Sequence, residues 1–196
     1  VQYKTTVAVE RIAAPRIGAE IGALYIEAGV VEPVVLAVRM QRIHDGFETL
    51  DPESEATKRS AEMLAFLSHN PPAAKVVSHL DELHAVALVE LESHSESETL
   101  PLLFAGAWMQ AYQLICVAME ETGNVSHAHT LIYQPQVGAY FLGWIDTMGS
   151  TALGEATSAP VHDILTDLRE LALKDPMTVE DVRATREGLE DILGMM

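Results

Sequence analysis

The chain has 196 residues and sets 29 Asp and Glu against 12 Lys and Arg, a formal net charge of −17. That balance argues against nucleic acid as a partner, because phosphates need a basic surface, and against binding to an anionic lipid face. The length fits one large domain or two small ones and is enough to bury a core without disulfides or metal. With Cys116 as the single cysteine, there is no internal disulfide and the compartment is not revealed.

Along the chain, YKTTVAV alternates weakly, and residues 1–16 read as an N-terminal arm in extended form. From Ile17 the apolar residues recur at spacings of three and four, the helical period. Gly29 ends a first helix over Ile17 to Ala28. Pro33 suits the first turn of a second, which runs to about Thr49. Asp51 and Pro52 open a third, ending near His69 before Asn70, Pro71 and Pro72, where proline disfavours a helical residue ahead of it. A fourth runs from Pro72 to about Glu92. Ser95 to Ser97 is a polar break, with Ser97 as a cap.

The fifth helix, from Glu98 to Thr122, contains Leu100 to Met119 without a charge. A run of that length is either a membrane span or a core helix. Glu96, Glu98, Glu120 and Glu121 flank it where a span would carry Lys or Arg, so it reads as core. Gly123 stops it. Ser126 to Met148 is a helical segment interrupted by Pro135. A loop of small residues follows, then a helix from Ser158 and Pro160 to Lys174. Thr178 with Asp181 forms a capping box that opens a last helix ending near Gly194.

These elements predict an all-α, single-domain antiparallel bundle of seven to eight helices around a central apolar helix at about 98–122. The bundle covers 17–196, with 160–196 as a peripheral helical hairpin. The chain shows no low-complexity tract and no convincing internal repeat.

Two segments carry a family resemblance. IGAEIGALY, Ile17 to Tyr25, resembles the YGADLxY stretch of a group of uncharacterised bacterial proteins, mostly predicted lipoproteins or exported proteins, all helical. LLFAGAWMQAYQ, Leu102 to Gln113, is similar to their LxxGGWxExLY stretch. Gly18, Ala19 and Glu20 stand at the Gly, Ala and Asp of the first motif, and Gly106 and Trp108 at the Gly and Trp of the second. Ala107 replaces a Gly, Gln110 replaces a Glu, and the first motif's aromatic is displaced. The resemblance implies a helical fold and export to the cell envelope, and no activity.

The candidate chemistry is sparse. Glu20 and Glu27, seven apart, share one face of the first helix beside Ile21, Leu24 and Ala28. A carboxylate on such a face needs a partner or a shifted pKa, and Gln110 is an available donor. Asp81 and His84 have the carboxylate-x-x-His spacing of di-iron bundles, but no second clear pair completes that set. Glu90 with His94 could add to it. His79 and His84 are poorly spaced for a shared metal. His127 and His129 are two apart and chelate together only on extended backbone. Trp108 and Tyr112, and Tyr140 and Trp144, are pairs four apart that share faces and could line an apolar pocket. No Ser-His-Asp order, phosphate loop, Cys pair or HExxH occurs.

The sequence thus points away from an enzyme and toward a binding or interaction protein that holds a small apolar ligand or a partner helix. The candidate ligand residues are Glu20, Tyr25, Glu27, Trp108, Gln110, Tyr112, Tyr140 and Trp144. A carboxylate/His metal site of Glu20, Glu27, Asp81 and His84 is the alternative, and a homo-oligomer held by Gly18, Gly22, Gly106 and Ala107 is compatible with either. No cofactor is identified.

Overall fold

A computed structural model describes residues 2–94, 99–126, 128 and 135–195; the Ser95 to Ser97 break and the His127/His129 pair lie outside the described residues. The fold is all-α, and among the described residues there is no strand. The chain divides into two compact units, Val1–Ala111 and Tyr112–Met196, where one domain was expected.

The first unit holds α1 (Gln2–Glu27), α2 (Pro33–Leu50), α3 (Glu55–Leu67), α4 (Ala73–His94) and the first half of α5 (Thr99–Thr122). Each of the first four supplies a buried stripe with spacings of four, three and four. These are Ile17, Ile21, Leu24 and Ala28; Leu36, Met40, Ile43 and Phe47; Ala56, Ser60, Met63 and Leu67; and Val76, Leu80, Leu83 and Ala87. That is the seam of a helical bundle. The stripe recurs every 20 residues from α2 to α4, as Leu36, Ala56 and Val76 show. The identities change at every step, so the repeat lies in burial and is invisible in the letters. Ser60, the polar member, is satisfied: its hydroxyl donates to the Thr57 carbonyl at 2.8 Å and lies 2.9 Å from His44 Nδ1.

A second face of α1 meets α5 at backbone contact. A Cβ added to Gly18 would sit 2.0 Å from the Leu103 carbonyl oxygen, and one on Gly22 would sit 2.2 Å from that of Ala107. From the other side, a Cβ on Gly106 would sit 2.0 Å from the Pro15 carbonyl oxygen. Only glycine permits this approach, so in this unit α1 is the helix buried from both sides. The expected arm is corrected accordingly: α1 begins at Gln2, not Ile17. Its β-branched residues lower helix propensity only slightly, and Pro15 is accommodated inside the helix, with its backbone against the bare Gly106.

Helix starts follow local chemistry. Ser54, not Asp51, caps α3 by accepting from the Thr57 N–H at 3.0 Å. The Glu90 carboxylate adds bonds from the N–H groups of Glu55 and Ala56, placing an anion at the positive end of that helix.

The second unit holds the rest of α5, α6 (Pro135–Trp144), a π-helical turn (Ile145–Gly149), a short turn (Ser150–Ala152), α7 (Glu155–Ala172) and α8 (Val179–Met195). Gly123 at φ +63° ends α5, and Gly154 at φ +82° precedes α7. α7 starts earlier than expected, with Pro160 inside it. Val161, Leu165, Leu168 and Ala172 on α7, and Val182, Leu189 and Ile192 on α8, are buried. α8 is tied to α5, where Glu120 accepts from Arg183 at 2.8 Å and Arg186 at 2.6 Å. α5 is long and apolar enough to cross a membrane, and 44% of its apolar window is buried within the chain.

The Thr178–Asp181 capping box forms: each backbone N–H bonds the other's side chain, at 2.9 and 3.2 Å. Lys174 also pairs with Asp181. The Lys174 ammonium and then the Thr178 donors hold the Asp181 carboxyl down at about 2, below its ordinary 3.8. A depressed folded pKa gives stability that is complete above the unfolded value and lost as pH falls through the folded one. Asp181→Asn is therefore expected to cost about 1 kcal/mol at neutral pH. Its deficit should shrink between about pH 4 and 2 in urea titrations followed by circular dichroism.

Candidate functional site

Three of the candidate residues, Glu20, Tyr25 and Glu27, lie on α1 of the helix pair α1–α2. Arg39 on α2 binds Glu27 through two bonds, Nε to Oε2 at 2.6 Å and Nη2 to Oε1 at 2.7 Å, and reaches Glu20 through Nη1 at 2.8 Å. Arg42 adds a bond to the other Glu20 oxygen at 2.9 Å. The two carboxylate side chains are only 18% and 13% exposed. The Arg39 guanidinium is pushed above its ordinary pKa, by its bond to Glu27 first and by Glu20 as well, against the opposing effect of burial. The need for a partner was legible from Glu20 and Glu27. The partner itself was missed, although Arg39 and Arg42, three apart, already placed two cations on one face of the next helix.

Tyr25 and Asp81 do meet, the phenol donating to Asp81 Oδ1 at 2.7 Å. Burial first, then that carboxylate, raises the Tyr25 pKa. The ring of His84 lies edge-on between Tyr25 and Phe104, at centroid distances of 6.3 and 5.9 Å. Its Nε2 is buried without a hydrogen-bond partner. Burial lowers its pKa, and the Asp81 charge opposes that shift, so His84 sits as a neutral aromatic spacer.

The metal alternative is corrected on this geometry. Glu20 and Glu27 are engaged by arginines, Asp81 accepts from a tyrosine, and Glu90 bonds the start of α3. Among the described residues no group of three or more His, Cys, Asp or Glu is placed to hold a metal ion.

The aromatic candidates divide between the units. Trp108 and Gln110 belong to the first; Tyr112, Tyr140 and Trp144 belong to the second. Tyr112 is buried and Trp144 half-buried, whereas Tyr140 is 56% exposed and packs edge-on against Phe141. Tyr140 thus lies at the surface. Cys116 is fully buried. Burial, reinforced by Glu120 and opposed by Arg186, pushes its thiol up to about 12. A thiolate is the reactive form, so a colorimetric thiol titration of the native chain at pH 8 should release essentially no signal, and one equivalent should appear in denaturant.

Two further features flank the arginine–carboxylate network. On one side, a cavity of about 520 Å³ opens between α1 and α2, lined by Arg16, Ile17, Glu20, Arg42, Asp45 and Gly46 among others. On the other, the α1–α2 corner exposes Ile26 (39%), Val30 (80%), Val34 (67%), Val35 (46%) and Val38 (55%). The sequence reading singled out none of these residues.

Comparison with family models, with curated proteins and with solved structures finds no match to this chain.

Proposed function

We propose that this chain is a non-enzymatic interaction protein that captures a partner helix on the α1–α2 corner. The observation that carries the reading is the cluster from Ile26 to Val38, five exposed large apolar residues within thirteen positions. Burying one such side chain is worth about 1.5–3 kcal/mol, and a contiguous apolar patch on a soluble chain commonly marks a contact surface. Val34 and Val38, four apart, lie on one helical face, the geometry that accepts an amphipathic helix.

Charge selects the partner's chemistry. The chain is strongly acidic, and Glu32 beside the corner is exposed, so the complementary occupant is a helix with one apolar face and Lys or Arg at its flanks. The same charge disfavours a second copy of the chain or an anionic membrane. Export to the cell envelope belongs to this proposal only through the resemblance of the Gly18 and Gly106 motifs.

The test is a fluorescence-anisotropy titration with a synthetic Leu/Lys amphipathic helix and its Leu/Glu counterpart. The basic peptide is expected to bind with a 1:1 endpoint and to weaken by about tenfold or more with V34E/V38E, while the acidic one does not bind. Equal binding of the basic peptide by the wild type and V34E/V38E would overturn the reading, since attraction would then be general electrostatics.

A further inference from the structure

The groove at the other end of the α1–α2 pair is a second site, separate from the valine corner. Its volume, about 520 Å³, falls in the range of about 300–1,000 Å³ typical of small-molecule sites. It exists because the facing positions are small. Ala13 and Ala19 on α1 and Gly46 on α2 leave the floor open, with Ile17 beneath. Gly46 is close enough that a Cβ there would press to 2.6 Å from Ile17 Cγ1.

The polar lining is specific. Arg16 and Arg42 bring two of the chain's 12 cationic side chains to one cavity. Among the described residues Arg42 bonds Glu20 through Nη1 alone, and its side chain is 61% exposed in the groove lining. Arg16 is exposed and forms no ion pair among the described residues. Glu20 accepts from Arg39 and Arg42, one bond to each oxygen, and Asp45 Oδ1 accepts from Gln41 at 2.8 Å. Both carboxylates accept bonds already, and the groove's two guanidinium groups match a carboxylate in geometry. The nearby Glu20 and Asp45 charges disfavour a dianion. Alanine, glycine, isoleucine and the arginine stems supply the apolar contact.

We propose that this groove binds a small monocarboxylate with an apolar body, its carboxylate held between Arg16 and Arg42 and its hydrocarbon against Ala13, Ile17 and Gly46. The site does not depend on the helix-capture reading.

Isothermal titration calorimetry with octanoate, octyl phosphate, octylammonium and octanol tests it. Octanoate is expected to bind at one equivalent. Octyl phosphate as its dianion, the amine and the alcohol should each be weaker by about tenfold or more, the worth of a charge-assisted bond. Arg16→Gln and Arg42→Gln should each weaken octanoate by about the same factor, and Arg42→Lys by less. Because Arg16 is exposed and forms no ion pair among the described residues, Arg16→Gln should leave the far-UV spectrum and melting temperature unchanged, so its result stands even if Arg42→Gln loosens the helix pair. V34E/V38E should bind octanoate as the wild type does. Absent binding, equal binding of octylammonium, or an unchanged Arg16→Gln would overturn the proposal. So would loss of octanoate binding in V34E/V38E, which would place the ligand at the corner instead.

Discussion

Alanine at Gly18 or Gly22 is expected to destabilise the chain by about 3 kcal/mol or more, beyond the usual cost of an overpacked site. The added Cβ would meet the carbonyl oxygens of Leu103 and Ala107 at 2.0 and 2.2 Å. These are backbone atoms, so α1 and α5 must move apart along the contact. The sign is the informative part, because alanine in a helix interior normally gains about 1 kcal/mol over glycine. Gly143 on α6, where an added Cβ meets nothing within 4 Å, is the control; Gly143→Ala should be neutral or stabilising by about 0.5–1 kcal/mol. Urea unfolding of the three variants checks the contrast. Wild-type stability in both Gly18→Ala and Gly22→Ala would mean that α1 and α5 are not in backbone contact.

Arg39→Met carries the second large effect. It leaves Glu20 and Glu27, both mostly buried, without the guanidinium that joins them. Breaking a fully buried pair costs about 3–5 kcal/mol. Here Arg39 retains 24% exposure and Arg42 still reaches Glu20, so the expected loss is about 2 kcal/mol. Adding Glu20→Gln and Glu27→Gln to Arg39→Met should restore most of it, because the cost comes from uncompensated charge more than from lost attraction. A double-mutant cycle read by urea midpoint measures this coupling. Additive losses across the cycle would show the three residues to be independent.

What the sequence displayed and what it hid follow from the range of the interactions involved. Helix existence and most boundaries rest on local signals. Pro33 opens α2, Gly123 closes α5, and the Thr178–Asp181 box starts α8. Residues 1–16 read as an extended arm because YKTTVAV alternates weakly, and Pro15 lies inside the helix that forms instead. The compensation, a bare Gly106 against the Pro15 carbonyl, comes from a residue far along the chain. The 20-residue recurrence escaped for a similar reason. Burial conserves the face and not the side chain, and Leu36, Ala56 and Val76 at equivalent positions share no letter. Glu20 and Glu27 announced that they needed partners, yet Gln110 and a metal were as available on paper as Arg39. The valine corner left no signal of its own, since Val34 and Val38 obey the same apolar spacing as buried residues and Val30 sits in the turn before α2, and only the packed helices show which of them stay exposed.

The most direct measurement is a carbon–proton correlation spectrum of valine methyl groups, recorded while the Leu/Lys amphipathic helix is added. Shifts concentrated at Val30, Val34, Val35 and Val38, with Val76 and Val161 in the buried stripes holding still, are the predicted result. Binding that leaves the corner methyls unmoved would contradict the account and place the contact elsewhere on the acidic surface.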